Sequence, residues 1–111
     1  MNILEKYVDR MNAHDAQGIA DCWVDEGCVF DDEAAKLLTG TPAYLEGKEA
    51  ILATFTTMCA AAPKATIIEM APDGKSMAYN IEIVGHVLEC RGTVEEEQDG
   101  KFKVYSCRPR T

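Results

Sequence analysis

Tyr7 and Asp31 are the residues of this chain whose types and spacing could carry chemistry. A phenol can donate a hydrogen bond to a developing oxyanion and a carboxylate can accept or relay a proton, so the two facing one hollow would move a proton at a carbonyl-like centre. Tyr7 lies on the apolar stripe of the opening segment, and Asp31 lies in Cys28-Val29-Phe30-Asp31-Asp32, a short extended run that passes into carboxylates. Burial would lift an aspartate toward the neutral pKa that suits a base, and the neighbouring Asp32 and Glu33 would push Asp31 the same way. Taken singly, each has an ordinary reading. Tyr7 fits a core tyrosine bonded to a backbone carbonyl, and Asp31 a strand-end carboxylate in water or capping the next loop.

The elements that must position this pair follow from periodicity. Ile3, Leu4, Tyr7, Val8 and Met11 recur at helical spacing, with Glu5, Lys6, Asp9 and Arg10 on the opposite side, which predicts a first helix. Asp15 is placed to cap a second helix whose buried face carries Ile19, Cys22 and Trp23 and whose stop is Gly27. From Glu33 to Glu46 no period is sustained, so this stretch reads as a loop with a short helical turn, able to cover a pocket mouth. A third helix starts near Gly47, buries Ile51, Leu52, Phe55, Met58, Cys59 and Ala62, and ends at Pro63. Strands follow over Thr66–Met70, Met77–Val84, His86–Gln98 and Lys101–Arg108, with Asp73-Gly74 and Asp99-Gly100 as turn signals. Helices gathered ahead of four consecutive antiparallel strands give an α+β domain, a curved sheet wrapped against helices, over residues 1–111.

Charge and cysteine usage limit the partners. Nineteen acidic against eleven basic residues leave a net charge of −8, which repels phosphate backbones and anionic lipid heads, so neither nucleic acid nor membrane is an expected partner. The five cysteines, Cys22, Cys28, Cys59, Cys90 and Cys107, form an odd set without a C-x-x-C pair, which suggests neither a disulfide framework nor a zinc knuckle and fits a reducing cytoplasm. The first residues show no basic region followed by a long apolar run, so the expectation is a soluble, cytoplasmic protein. Glu95-Glu96-Glu97 reads as a solvated strand end that blunts edge pairing.

Other chemistries find little support. Asp31, Asp32 and Glu33 do not make a metal site, because adjacent strand residues point to opposite faces and only His14 and His86 are available to help. His14 falls in the break between helices, and His86 is open to a loop lip or a pocket wall, where it would be a spare base or a substrate contact. Trp23 and Phe55 are the aromatic candidates for substrate contact, Trp23 also completing the apolar face of the second helix. Tyr105 and Cys107 share one face of the last strand, lining either a cavity or a contact between copies. There is no G-x-S-x-G, phosphate-cradling glycine loop or H-E-x-x-H motif, and no cofactor is called for.

The stretch Tyr7-Val8-Asp9-Arg10-Met11-Asn12-Ala13-His14-Asp15-Ala16-Gln17-Gly18-Ile19, followed by Val29-Phe30-Asp31, resembles the opening of the ketosteroid isomerases, and Leu45-Glu46-Gly47-Lys48-Glu49-Ala50-Ile51 resembles the start of their third helix. The chain is thus similar over nearly its whole length to the nuclear transport factor 2-like superfamily, which includes those isomerases and the SnoaL-type polyketide cyclases. The resemblance implies a cone-shaped α+β fold, Tyr7 as donor to an enolate oxygen, Asp31 as proton shuttle, and a homodimer. Two positions depart from the isomerases: Phe55 replaces a supporting tyrosine, and no acid stands at Gly92 or Thr93, where their second oxyanion donor belongs. Two functions follow as expectations. One is a cofactor-independent isomerase, cyclase or dehydratase acting on a small apolar carbonyl-like substrate; the other is a non-catalytic ligand-binding or dimerisation module.

Overall fold

The computed structural model describes residues 1–110. The first helix, α1 (Ile3–Asn12), starts where Asn2 and Glu5 satisfy each other's backbone amides in a capping box, and it buries Leu4, Tyr7, Val8 and Met11. Asp15 caps α2 (Ala16–Ala20) through the Gly18 amide at 2.9 Å. Here the expected helix is shortened: it ends at Ala20 rather than running on past Trp23. The backbone beyond it is claimed by the sheet, with the Val24 amide donating to the Phe102 carbonyl at 2.9 Å and the Phe102 amide to the Cys22 carbonyl at 2.8 Å. Cys22 and Trp23 are buried all the same.

The sheet is built from β1 (Val29–Asp32), β2 (Ala43–Glu46), β3 (Lys64–Met70), β4 (Ser76–Ile83), β5 (His86–Gln98) and β6 (Lys101–Pro109), in the order β2-β1-β6-β5-β4-β3. The last four strands pair antiparallel in sequence order, as the turn signals predict, and β1 lies parallel to β6. Strand β2, read from sequence as loop, pairs antiparallel with β1 at the sheet edge. Between β1 and β2 the chain makes a 3-10 turn over Glu33–Ala35 and a one-turn helix, α3 (Lys36–Thr39). The remaining helix, α4 (Lys48–Ala60), follows β2 and buries Ile51 and Phe55.

Irregular register between Val94 and Glu97 decides which side chains of β6 face inward. A bulge offsets strict alternation, so Phe102 and Tyr105, three residues apart, are both fully buried and stack with ring centroids 4.5 Å apart. Tyr7 projects from α1 into this aromatic layer, with its ring 5.0 Å from Tyr105 and 5.9 Å from both Trp23 and Phe102. The expected α+β arrangement, helices against a curved and unclosed sheet, is present. Among the described residues no helix is long and apolar enough to cross a membrane.

Candidate functional site

A cavity of about 430 Å³ opens between the sheet and α4, within the range of roughly 300–1,000 Å³ typical of small-molecule sites. Its floor is the inner face of the sheet, with Phe30, Asp32, Tyr79, Ile81, Leu88, Cys90 and Cys107, and Tyr7 closes one end. Helix α4 supplies Thr54, Phe55, Thr57 and Met58 to the opposite wall. Ala34, Ala35, Leu38 and Thr39 from the turn and α3, together with Val84, complete the lining.

The carboxylate inside is Asp32, and the expectation that Asp31 meets Tyr7 in one hollow is corrected. Side chains alternate along a strand; with Phe30 buried and lining the cavity, Asp32 shares its face and Asp31 takes the other. Asp31 instead pairs with Arg108 across the outer face at 3.2 Å, beside a Glu33–Arg108 contact of 2.6 Å. Asp32 accepts the Ala35 amide at 3.2 Å, so it also caps the Glu33–Ala35 turn. Burial lifts its carboxyl from 3.8 to about 7, the Ala35 amide opposes the rise, and the Asp31 charge adds to it. Desolvation penalises the carboxylate more than one amide bond rewards it.

Tyr7 is 1% exposed and lines the cavity, its phenol raised well above the ordinary value by burial and by Cys107, with the Tyr79 hydroxyl opposing the rise. The Asp32 charge acts on Tyr7, Cys90 and Cys107, so these groups share one electrostatic neighbourhood. Phe55 lines the cavity. Trp23 does not: it lies in the packed layer behind, its indole N–H donating to the Val29 carbonyl at 3.0 Å. His86 begins β5 exposed and away from the lining. It is also kept apart by the turn before it, where Val84 and Gly85 have φ of 50° and 76°; His14 is exposed too, its Nε2 2.9 Å from the Pro63 carbonyl.

The polar group that sequence reasoning missed is a hydroxyl and thiol network on the sheet. Tyr105 Oη donates to Tyr79 Oη at 3.0 Å, and Tyr79 Oη lies 3.0 Å from Cys107 Sγ. The Tyr105 hydroxyl rests over Gly92, where a Cβ would overlap it. The missing side chain at Gly92 is thus occupied space, filled by a hydroxyl from the next strand. Strand pairing held the signal: Tyr79 stands opposite Cys90 and Gly92 opposite Cys107. Among the described residues no cluster of His, Cys, Asp and Glu fits a metal ion.

Solved structures of low sequence identity share this fold. An NTF2-like protein of unknown function from Cytophaga hutchinsonii superposes with a TM-score of 0.74 at 13% identity, covering 96% of this chain and 86% of that one. The epoxide hydrolase/cyclase-like enzyme SalBIII, of pyran ring formation in the polyether salinomycin, gives 0.74 at 17% identity, covering 96% and 87%. A provisionally assigned ketosteroid isomerase from Kribbella flavida gives 0.72 at 17% identity, covering 98% and 76%. No curated protein matches the sequence. The family model of the SnoaL-like domain matches residues 4–106, and the chain belongs to that family.

Proposed function

We propose that the cavity performs cofactor-independent acid/base chemistry on a small apolar substrate bearing a carbonyl-like oxygen, with Asp32 transferring the proton and Tyr7 donating to the oxygen. The observation that carries this reading is the Asp32 carboxyl set on the lining of an apolar cavity that Tyr7 also lines, where burial lifts it to about 7. A base of neutral pKa is present in both protonation states at ambient pH and can take a proton and return it. A phenol kept neutral by burial is a ready donor to an enolate, and surrounding aromatic rings exclude the water that would compete. Isomerisation, cyclisation and dehydration all need this pair of roles. The chemistry of the SnoaL-type and isomerase-type relatives supports the class, and the substrate is left at its chemical outline.

A second reading, a ligand-binding module without chemistry, is favoured by one feature: the sheet position where an isomerase-like acid donor would stand is Gly92, filled by the Tyr105 hydroxyl. Proton exchange separates the two without knowledge of the natural substrate. In deuterated buffer, the protein should catalyse α-hydrogen exchange of small cyclic ketones and enones, followed by NMR. Asp32→Asn should abolish the exchange, and Tyr7→Phe should slow it roughly 100- to 1,000-fold, as loss of an oxyanion donor does. Exchange no faster than in buffer, or undiminished in Asp32→Asn, would leave only the binding module.

A further inference from the structure

Asp32 differs from its two neighbours in having no cation beside it. Asp31 and Glu33 share Arg108 on the outer face, at 3.2 and 2.6 Å. On the inner face Asp32 Oδ1 accepts the Ala35 amide at 3.2 Å, which leaves Oδ2 for whatever fills the cavity that the residue lines. That lining contains no lysine, arginine or histidine among the described residues. A charge withdrawn from water is ordinarily paired, because the interior does not solvate it. Here the fold supplies half of an ion pair and leaves room for the other half.

The groups packed around this carboxyl do not take the cation's place. Asp31, next along β1, opposes ionisation of Asp32 with its own negative charge. Tyr7 from α1, Tyr79 from β4, Cys90 from β5 and Cys107 from β6 line the hollow with it, and none of them can carry positive charge. Helix α4 adds Thr54 and Thr57, which do not titrate. Arg110, whose charge reaches Cys90, is tied to the Tyr79 and Cys90 carbonyls at 2.8 and 2.9 Å and stays out of the lining. What the walls do offer a cation is aromatic. Phe30 and Asp32 stand on the same side of β1, two residues and so roughly 7 Å apart along the strand. Phe30 packs on Phe55 with ring centroids 5.6 Å apart, and Tyr7 lies 6.0 Å from Phe55. A cation held at Asp32 thus neighbours a group of rings, whose negative faces attract positive charge over about 6 Å.

We propose that the cavity is also a binding site for small apolar amines in their ammonium form, with Asp32 as the counter-ion, the ammonium N–H donating to Oδ2, and the apolar and aromatic walls enclosing the hydrocarbon. This ligand class is distinct from the carbonyl substrate of the acid/base reading, and holding it requires no chemistry. The ammonium supplies the partner that Asp32 lacks, so binding favours the carboxylate that burial disfavours, and affinity follows the ionisation of Asp32. With its carboxyl at about 7, roughly one-tenth of the protein carries the carboxylate at pH 6 and roughly nine-tenths at pH 8. An alkylammonium stays protonated across that range, so amine affinity rises about tenfold through it. An anion of the same size meets a carboxylate and no cation.

Titrating the wild-type protein with cyclohexylamine and with cyclohexanol, its uncharged counterpart of like shape, tests the assignment when the Thr54 and Met58 methyl groups of the lining are followed by NMR. At pH 8 the amine should bind at least about tenfold more tightly than the alcohol, the margin of a hydrogen bond to a charged group over a neutral one. Between pH 6 and 8 the amine's Kd should fall about tenfold while the alcohol's stays level. Asp32→Asn should bring the two ligands to similar affinities and flatten the pH dependence, with the surface charge that gathers amines non-specifically left in place. Cyclohexanecarboxylate should not bind. In the wild type alone, no saturable amine binding, an amine no tighter than the alcohol at pH 8, or an amine affinity independent of pH overturns the proposal, as does a preference that survives in Asp32→Asn. The acid/base reading is scored separately by hydrogen exchange on ketones: exchange without amine preference removes only this inference, and amine preference without exchange leaves it standing.

Discussion

Asp32→Asn separates the charge at the cavity floor from its shape, because asparagine caps the Glu33–Ala35 turn about as well as aspartate does. The wild-type carboxyl is lifted from 3.8 to about 7 by burial. Below about pH 4 folded and unfolded chains both hold the proton, and the group costs nothing. As pH rises toward 7 the unfolded chain releases the proton while the folded one keeps it, so stability falls across this window and levels off above it. The interval between 3.8 and about 7 corresponds to about 4 kcal/mol at 1.36 kcal/mol per pKa unit, an upper figure because a compact unfolded ensemble already desolvates part of its surface. The asparagine variant carries no such penalty. Urea unfolding of both proteins should therefore give closely similar stabilities near pH 4 and a variant more stable by roughly 2–4 kcal/mol near pH 8. Other titrating groups are common to both proteins and cancel in the difference. A wild-type-to-variant difference that does not change between these pH values, or changes in the opposite sense, would refute the reasoning.

Asp31→Asn should behave differently from its neighbour, costing at most about 1 kcal/mol in urea unfolding, since its partner Arg108 is half exposed and surface ion pairs contribute little. Gly92→Ala should destabilise by roughly 1–3 kcal/mol, because the added methyl meets the Tyr105 hydroxyl; the double variant Gly92→Ala, Tyr105→Phe should recover part of that loss, and strict additivity would contradict the contact. Val84 carries a β-branched side chain at a φ of 50° on the cavity lining, so Val84→Asn, which suits the positive angles before Gly85, should raise stability by about 1 kcal/mol, and a lower thermal midpoint would count against that strain.

Much of the architecture was legible because local rules and the global fold agree. The stripe of Leu4, Tyr7, Val8 and Met11, the Asp15 cap and the Asp99-Gly100 turn, with φ of 55° and 75°, are local signals that tertiary contacts left in place. Helix α2 stops short of the length its apolar pattern suggests because Cys22 and Trp23 are buried for a reason unrelated to helix: their segment docks on Phe102. Strand β2 escaped because an edge strand of four residues beside Pro42 carries too short an alternation to separate from loop. The site was legible in kind and off by one residue in place. Alternation from Phe30 assigns the inner face to Asp32, whereas the isomerase-like run Val29-Phe30-Asp31 points one residue earlier. Tyr79 and Tyr105 gave no motif, since their meeting depends on the pairing of β4, β5 and β6.

The central claim, that the cavity holds a carboxyl poised to exchange a proton near neutrality, is tested most directly by following the side-chain carboxyl carbon of Asp32 by NMR from about pH 3 to 9. A titration centred near 7 is expected for Asp32. A midpoint close to the ordinary 3.8 would contradict it and remove the base from the proposed chemistry.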